Sequence, residues 1–147
     1  MSRMQEEKPP SPLVFPPSYT TITPSESFDN PACGEVTWHT LISAPNTETS
    51  DLSVGIAICP PNIGQLCAHR HDQAEVYHIL EGEGEITIDG FSTDVIAGST
   101  IFIPRNAEHK IVNRGNERLR WFYVFAEDSF ENVIYRFTGL NGQEGQT

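Results

Sequence analysis

Residues 64–82 read Gly64-Gln-Leu-Cys-Ala-His69-Arg-His71-Asp-Gln-Ala-Glu75-Val-Tyr-His-Ile-Leu-Glu-Gly82. In an extended strand, residues two apart project from one face. His69 and His71 therefore present both imidazoles to one point while Arg70 faces away. Glu75 opens the next apolar run and can bring a carboxylate to the same point. Neutral imidazoles and a carboxylate suit a first-row divalent ion, at roughly 2.0–2.2 Å when that ion is zinc. A second stretch, residues 98–113, reads Gly98-Ser-Thr-Ile-Phe-Ile-Pro104-Arg-Asn106-Ala-Glu-His109-Lys-Ile-Val-Asn113. Here an apolar strand ends at a proline turn, and His109 begins the strand that follows. Three His and one Glu leave coordination positions open on a five- or six-coordinate ion, and catalysis requires such positions.

Around these two stretches, short β-rich runs alternate with turn signals. They are Glu35–Ser43, Leu52–Cys59, Leu66–Arg70, Glu75–Glu81, Gly84–Asp89, Ser92–Ile96, Thr100–Ile103, His109–Asn113, Leu119–Ala126 and Asn132–Phe137. Pro60-Pro61-Asn62, Asp89-Gly90, Ala97-Gly98 and Arg114-Gly115-Asn116 punctuate them, and Asp89-Gly90 is the strongest hairpin signal. Strands at this spacing predict an all-β sandwich or barrel. No helix and no internal repeat is expected. Six of the eleven prolines lie in the first 24 residues, so residues 1–25 are expected to form an extended or disordered arm. Residues 26–140 form the domain in this reading, and the Gly- and Gln-rich residues 141–147 a disordered tail.

At 147 residues the chain has the length of one domain, which buries about two-thirds of its unfolded surface without needing a structural metal. Any metal site is therefore expected to be functional. Nine Lys and Arg stand against 20 Asp and Glu, a formal charge of −11. That balance argues against nucleic acid and anionic membranes as partners. An anionic small substrate stays open, because Arg105, Lys110, Arg114, Arg118 and Arg120 fall in one stretch. Cys33, Cys59 and Cys67 are odd in number and lack Cys-x-x-Cys spacing, so no disulfide framework is expected. Met1 to Lys8 has no apolar core of a signal peptide, and no run is long enough to span a membrane. A cytoplasmic protein is the expectation.

The two quoted stretches resemble the two motifs of the cupin superfamily. Gly64, His69, His71, Glu75 and Gly82 fill the first, with a spacer of four residues after the glycine where five is usual. Gly98, Pro104, His109 and Asn113 fill the second, with Asn106 in place of its inner glycine. Asn tolerates positive φ better than other non-glycine residues, so the turn is expected to survive. The resemblance implies a single-domain, six-to-eight-stranded jelly-roll β-barrel over about residues 35–137. It also implies one divalent metal ion (Fe, Mn, Zn or Ni) inside, held by His69, His71, Glu75 and His109.

Tyr77 lies two residues after Glu75 and shares its inward face. A phenol beside a divalent cation is acidified and can act as a base; an ordinary core tyrosine is the plainer alternative. Tyr135 is turned inward if Arg136 faces solvent, and Tyr123 either lines the cavity or packs the core. His78 falls on the opposite face from Glu75, and His39 is a surface or core residue. The runs Glu75-Val-Tyr-His-Ile-Leu-Glu-Gly-Glu-Gly-Glu and Trp121-Phe-Tyr-Val-Phe-Ala resemble the small single-domain cupins that include the dimethylsulfoniopropionate lyases. In that group a metal binds the substrate carboxylate and a tyrosine removes the α proton. By position, Tyr77 and Tyr135 match its metal-neighbouring and C-terminal tyrosines.

The leading expectation is a metal-dependent lyase, dehydratase or isomerase acting on a small carboxylate or carbonyl compound. A cupin-type iron dioxygenase is the second reading, and a metal-bearing binding protein without turnover the third. Leu119–Phe125 is apolar on both faces, which predicts a homodimer covering one sheet face.

Overall fold

The computed structural model describes residues 10–140. Its elements are one helical turn, α1 (Tyr19–Ile22), and ten strands. These are β1 (Thr37–Ile42), β2 (Ser53–Cys59), β3 (Gln65–Arg70), β4 (Glu75–Glu81), β5 (Glu83–Ile88), β6 (Phe91–Ile96), β7 (Thr100–Ile103), β8 (His109–Asn113), β9 (Leu119–Phe125) and β10 (Arg136–Phe137). Two 3-10 turns, Pro31–Cys33 and Phe130–Asn132, complete the chain. The strands form two five-stranded antiparallel sheets, ordered β1-β2-β9-β4-β7 and β10-β3-β8-β5-β6. This is the expected all-β jelly roll in a single domain, with ten strands among the described residues where the resemblance implies six to eight.

Two departures from the sequence expectations stand out. The last run, read as Asn132–Phe137, is strand only at Arg136–Phe137, because the 3-10 turn at Phe130–Asn132 takes up its start. The stretch expected as an extended arm contains α1, where Thr21 and Thr23 hydroxyls bond back to the carbonyls of Ser18 and Tyr19. Residues 1–9 and the tail at 141–147 lie outside the described residues. No helix among the described residues is long and apolar enough to cross a membrane. No disulfide links Cys33, Cys59 and Cys67.

Strand periodicity sends alternate side chains between the sheets. Along β9 these are Leu119, Trp121, Tyr123 and Phe125, all buried. Along β4 they are Glu75, Tyr77 and Ile79. Strict alternation fails in β3, where Leu66 and His69 are both buried although three residues apart. The register between β3 and β8 slips between those two residues, and the bulge restores His69 to the inner face.

The turn residues behave as their chemistry requires. Asp89 and Gly90, with φ of 48° and 85°, make the two-residue hairpin that pairs Ile88 with Phe91. Asn106 adopts φ 61° in place of glycine. Its side-chain oxygen accepts from Arg136 and its carbonyl from Arg70, which ties the turn to β10 and β3. Asn113, the last residue of the second motif, is buried and holds no ligand position. Its amide nitrogen donates to the carbonyls of Cys59, Pro60 and Glu117, and its oxygen accepts from Gly115 N–H. One side chain thus joins the β2–β3 turn to the β8–β9 loop.

Asn113→Ala leaves these buried carbonyls without their donor and should lower folding stability by roughly 2–4 kcal/mol. Urea denaturation checks the loss.

Candidate metal centre

His69 and His109 are register partners on the adjacent strands β3 and β8 of one sheet. His71 follows β3 where the chain crosses between sheets, and Glu75 opens β4 of the other sheet, opposite Ile103 and Phe125. The four side chains meet between the sheets and are at most 3% exposed. The ligand atoms of His69, His71 and His109 lie within 4.8 Å of one another, a cluster able to hold a metal ion. Glu75 Oε1 stands 3.2 Å from His71 Nε2 and 3.4 Å from His109 Nε2.

The backbone fixes which nitrogen of each ring carries the proton. His69 Nδ1 lies 2.7 Å from the carbonyl of Cys67, His71 Nδ1 3.0 Å from that of Gln73, and His109 Nδ1 2.9 Å from that of Ala107. A carbonyl only accepts, so each Nδ1 is the donor. In the neutral rings each Nε2 then carries a lone pair, and those of His69 and His109 have no hydrogen-bond partner. These two orphaned nitrogens and Glu75 Oε1, which also lies within hydrogen-bond distance of His71 Nε2, converge on one buried point. The donor set fits a divalent ion, and backbone carbonyls orienting the outer ring nitrogens are the usual support of a metal-ligating histidine. Burial, with His109 and His71 nearby, holds the His69 imidazolium well below its ordinary range. His69 therefore stays neutral, as ligation requires.

Tyr77 and Tyr135 are both buried and turned inward. The Tyr135 ring centroid is 4.9 Å from that of His69 and 5.5 Å from that of His71; Tyr77 is 6.2 Å from His109 and leans on Trp121. Arg136 faces outward to Asp72 and Asn106, which gives Tyr135 its inward parity. Burial, reinforced by the Glu75 charge, pushes both phenols well above their ordinary range. The protein surroundings alone thus act against the acidified phenol expected beside a cation. Tyr123 also lines the interior, with its pKa raised by burial.

The other candidates fall outside the site. His78 faces outward and pairs with the Thr100 hydroxyl, and His39 is buried beneath the Thr23 hydroxyl on the far side of β1. Arg114 pairs with Glu85, and Arg118 and Arg120 with Glu81, so the basic stretch does not converge on the interior.

Beside Glu75 and both tyrosines lies a cavity of about 20 Å³, room for one water molecule. Its walls are mainly aromatic: Phe28, Trp38, Tyr77, Trp121, Tyr123, Phe130 and Tyr135. Glu75 is the one charged residue among those that line it. Phe28, Trp38 and Phe130 did not figure as site residues in the sequence reading. Phe28 stands alone among polar neighbours, and only the folded chain lays it over Trp38 and Tyr135.

A family profile described as a cupin domain matches residues 56–125. Over 115 residues the chain is 44% identical to dimethylsulfoniopropionate lyase DddW of Ruegeria pomeroyi, a match covering 78% of this chain and 74% of that protein. Among solved structures it is similar to the polyketide cyclase RemF from Streptomyces resistomycificus. That match has a TM-score of 0.69 and 23% identity, and covers 87% of this chain and 88% of that one. A cupin-like protein from Thermotoga maritima matches with a TM-score of 0.64 and 17% identity, over 80% of this chain and 88% of that one. At such identities the solved structures speak for the fold alone.

Purified protein should carry about one divalent ion per chain. His71→Ala or His109→Ala removes one of the converging lone pairs and should cut metal content to near zero, measured by elemental analysis. Full occupancy in both variants would exclude this centre.

Proposed function

The chain belongs to the cupin family, and on that premise we propose that it is a metal-dependent lyase. In this reading it removes the proton α to a carboxylate and expels a β substituent. The observation that carries the reading is the convergence of three imidazoles and Glu75 on one buried point beside two tyrosines. His69, His71, Glu75 and His109 would hold the ion. When bound, the ion supplies a Lewis acid for the substrate carboxylate and a positive charge that opposes the upward push on the phenols.

Support for the substrate class comes from two directions. The similar Ruegeria protein is named for a sulfonium carboxylate. The cavity itself offers no Lys or Arg to a carboxylate but several aromatic faces, and such faces attract an onium group. A β-sulfonio carboxylate satisfies both. Tyr77 Oη, as phenolate, takes the α proton. The C–H electron pair becomes the new C=C bond, and the C–S pair departs with sulfur. The products are a neutral thioether and an unsaturated carboxylate, and the phenol returns its proton to water. Tyr135, tilted against His69 and edge-on to His71, is the second phenol within reach.

Thioether release from dimethylsulfoniopropionate under anaerobic conditions tests the reaction. Tyr77→Phe should retain metal while kcat falls by about 10²–10⁴, the usual contribution of a positioned base. Turnover that requires O₂ would replace the lyase with a dioxygenase, and binding without product would replace it with a binding protein. An isomerised product would keep the base but change the reaction.

The partner surface belongs to the same proposal. On the outer face of the first sheet, Val54, Val124, Val76 and Phe102 line up across β2, β9, β4 and β7. Ile56 and Phe122 lie in the next row, and Phe102 is 65% exposed. A second copy of the chain covering this face makes the homodimer. Light scattering at micromolar concentration should give twice the 16.4 kDa chain mass, and Phe102→Asp should shift it toward monomer.

A further inference from the structure

The inner cavity of about 20 Å³ is far below the roughly 300–1,000 Å³ of ordinary ligand sites. A sulfonium carboxylate cannot enter it as it stands. On the outer surface lies a groove of about 650 Å³, lined among others by Phe28, Asp29, Glu35, Val36 and Pro60. Two residues, Phe28 and Val36, line both spaces. Val36 is buried and leads directly into β1, whereas Phe28 is half-buried between exposed Ser27 and Asp29. Phe28 is therefore the wall that can yield.

Its backbone setting suits movement. Glu26 is anchored by two backbone hydrogen bonds to Trp38, at 2.7 and 3.0 Å. Asn30 is anchored on the other side, its side-chain oxygen accepting from Ala32 N–H at the start of the 3-10 turn. Between these anchors, no backbone–backbone hydrogen bond among the described residues holds Phe28 or Asp29. The ring itself rests on Trp38, Tyr135 and Phe137, with centroids 4.8, 5.0 and 5.3 Å away. Tyr135 in turn lies against His69 and His71. Lifting the ring of Phe28 would open a direct line from the groove to the metal-facing cavity.

We infer that the strap Ser27–Asp29 is the way in to the site and that Phe28 is its gate. Asp29 and Glu35 outnumber Arg118 in the groove lining, and Arg118 is paired with Glu81, so the mouth favours a substrate that arrives with a positive group. The inference rests on the cavity being the reaction site, but its test needs no turnover. Both tryptophans of the chain, Trp38 and Trp121, line the cavity and are 4% and 1% exposed. Trp38 touches Phe28 directly, so a Trp38→Phe background leaves the deeper Trp121 as sole reporter.

In that background acrylamide should quench Trp121 weakly. Phe28→Ala should raise the quenching constant severalfold, and Phe28→Leu should raise it less. Phe130→Leu loosens the same cavity from a residue that does not line the groove, and should leave quenching unchanged. Zinc-loaded protein should lose its ion to a chelator faster in the same order. Equal quenching in wild type and Phe28→Ala, or an equal rise in Phe130→Leu, would overturn the gate. If Phe28→Ala fails to fold, Phe28→Leu decides alone: a rise supports the gate and no change removes it. Failure of the lyase assay alongside the expected quenching would remove the reaction and keep the way in.

Discussion

Three backbone carbonyls decide the character of this protein. Those of Cys67, Gln73 and Ala107 take the Nδ1 protons of His69, His71 and His109, and so leave every Nε2 aimed at the space beside Glu75. Buried lone pairs and a buried carboxylate are costly neighbours in a low-dielectric interior. No lysine or arginine lies among the residues lining the adjoining cavity to offset them. The fold therefore gathers metal-ligating groups between its sheets, and the remaining structure serves to keep them in place. The β3 bulge sets His69 inward, the Asn106 turn delivers His109, and Asn113 pins the two loops at the far end.

The two sheets contribute unequally to this arrangement. One supplies His69 and His109 as cross-strand partners, which fixes their spacing through backbone pairing alone. The other supplies Glu75, and through the same strand Tyr77 and Ile79. Glu75 can reach the imidazoles only if the sheets keep their separation, and the ring contacts of Tyr77 with His109 and of Phe125 with His71 maintain it. Core packing and site geometry are thus one problem, because Tyr77, which spaces the sheets, also walls the cavity.

Much of this was legible in the sequence, for a physical reason: parity within a regular strand and turn chemistry are both local. Parity put Glu75 and Tyr77 on the inner face and the solvent demand of Arg136 turned Tyr135 inward, whereas His69 reaches that face through the β3 bulge and His71 from beyond the end of the strand. Asp89-Gly90 fixed its own hairpin. What stayed hidden depended on long-range contact. The bulge in β3 has no residue signature, and the 3-10 turn at Phe130 competes with strand only because that ring is buried under Trp38 and Tyr123. Phe28 sits in Ser-Phe-Asp-Asn, with no periodicity to mark it. The basic stretch from Arg105 to Arg120 left an anionic substrate open by composition alone, yet Arg114 pairs with Glu85 while Arg118 and Arg120 share Glu81.

The proposed chemistry makes two demands on the cavity that pull against each other. A base must lose its proton before it can accept one, but the dry enclosure that strengthens each electrostatic contact also pushes the Tyr77 and Tyr135 phenols upward. Opening the cavity to water would relieve that push and weaken the hold on a bound carboxylate at the same time. A dication at the converging Nε2 atoms resolves the conflict locally, because its charge acts over the few ångströms that separate the histidines from the rings. A movable wall at Phe28 resolves it in time, since the cavity need be wet only while substrate passes. Both solutions require that the aromatic residues around Glu75 stay fixed while one ring at the edge moves. The structure provides that contrast, with Tyr77 and Trp121 on regular strands and Phe28 on a three-residue strap.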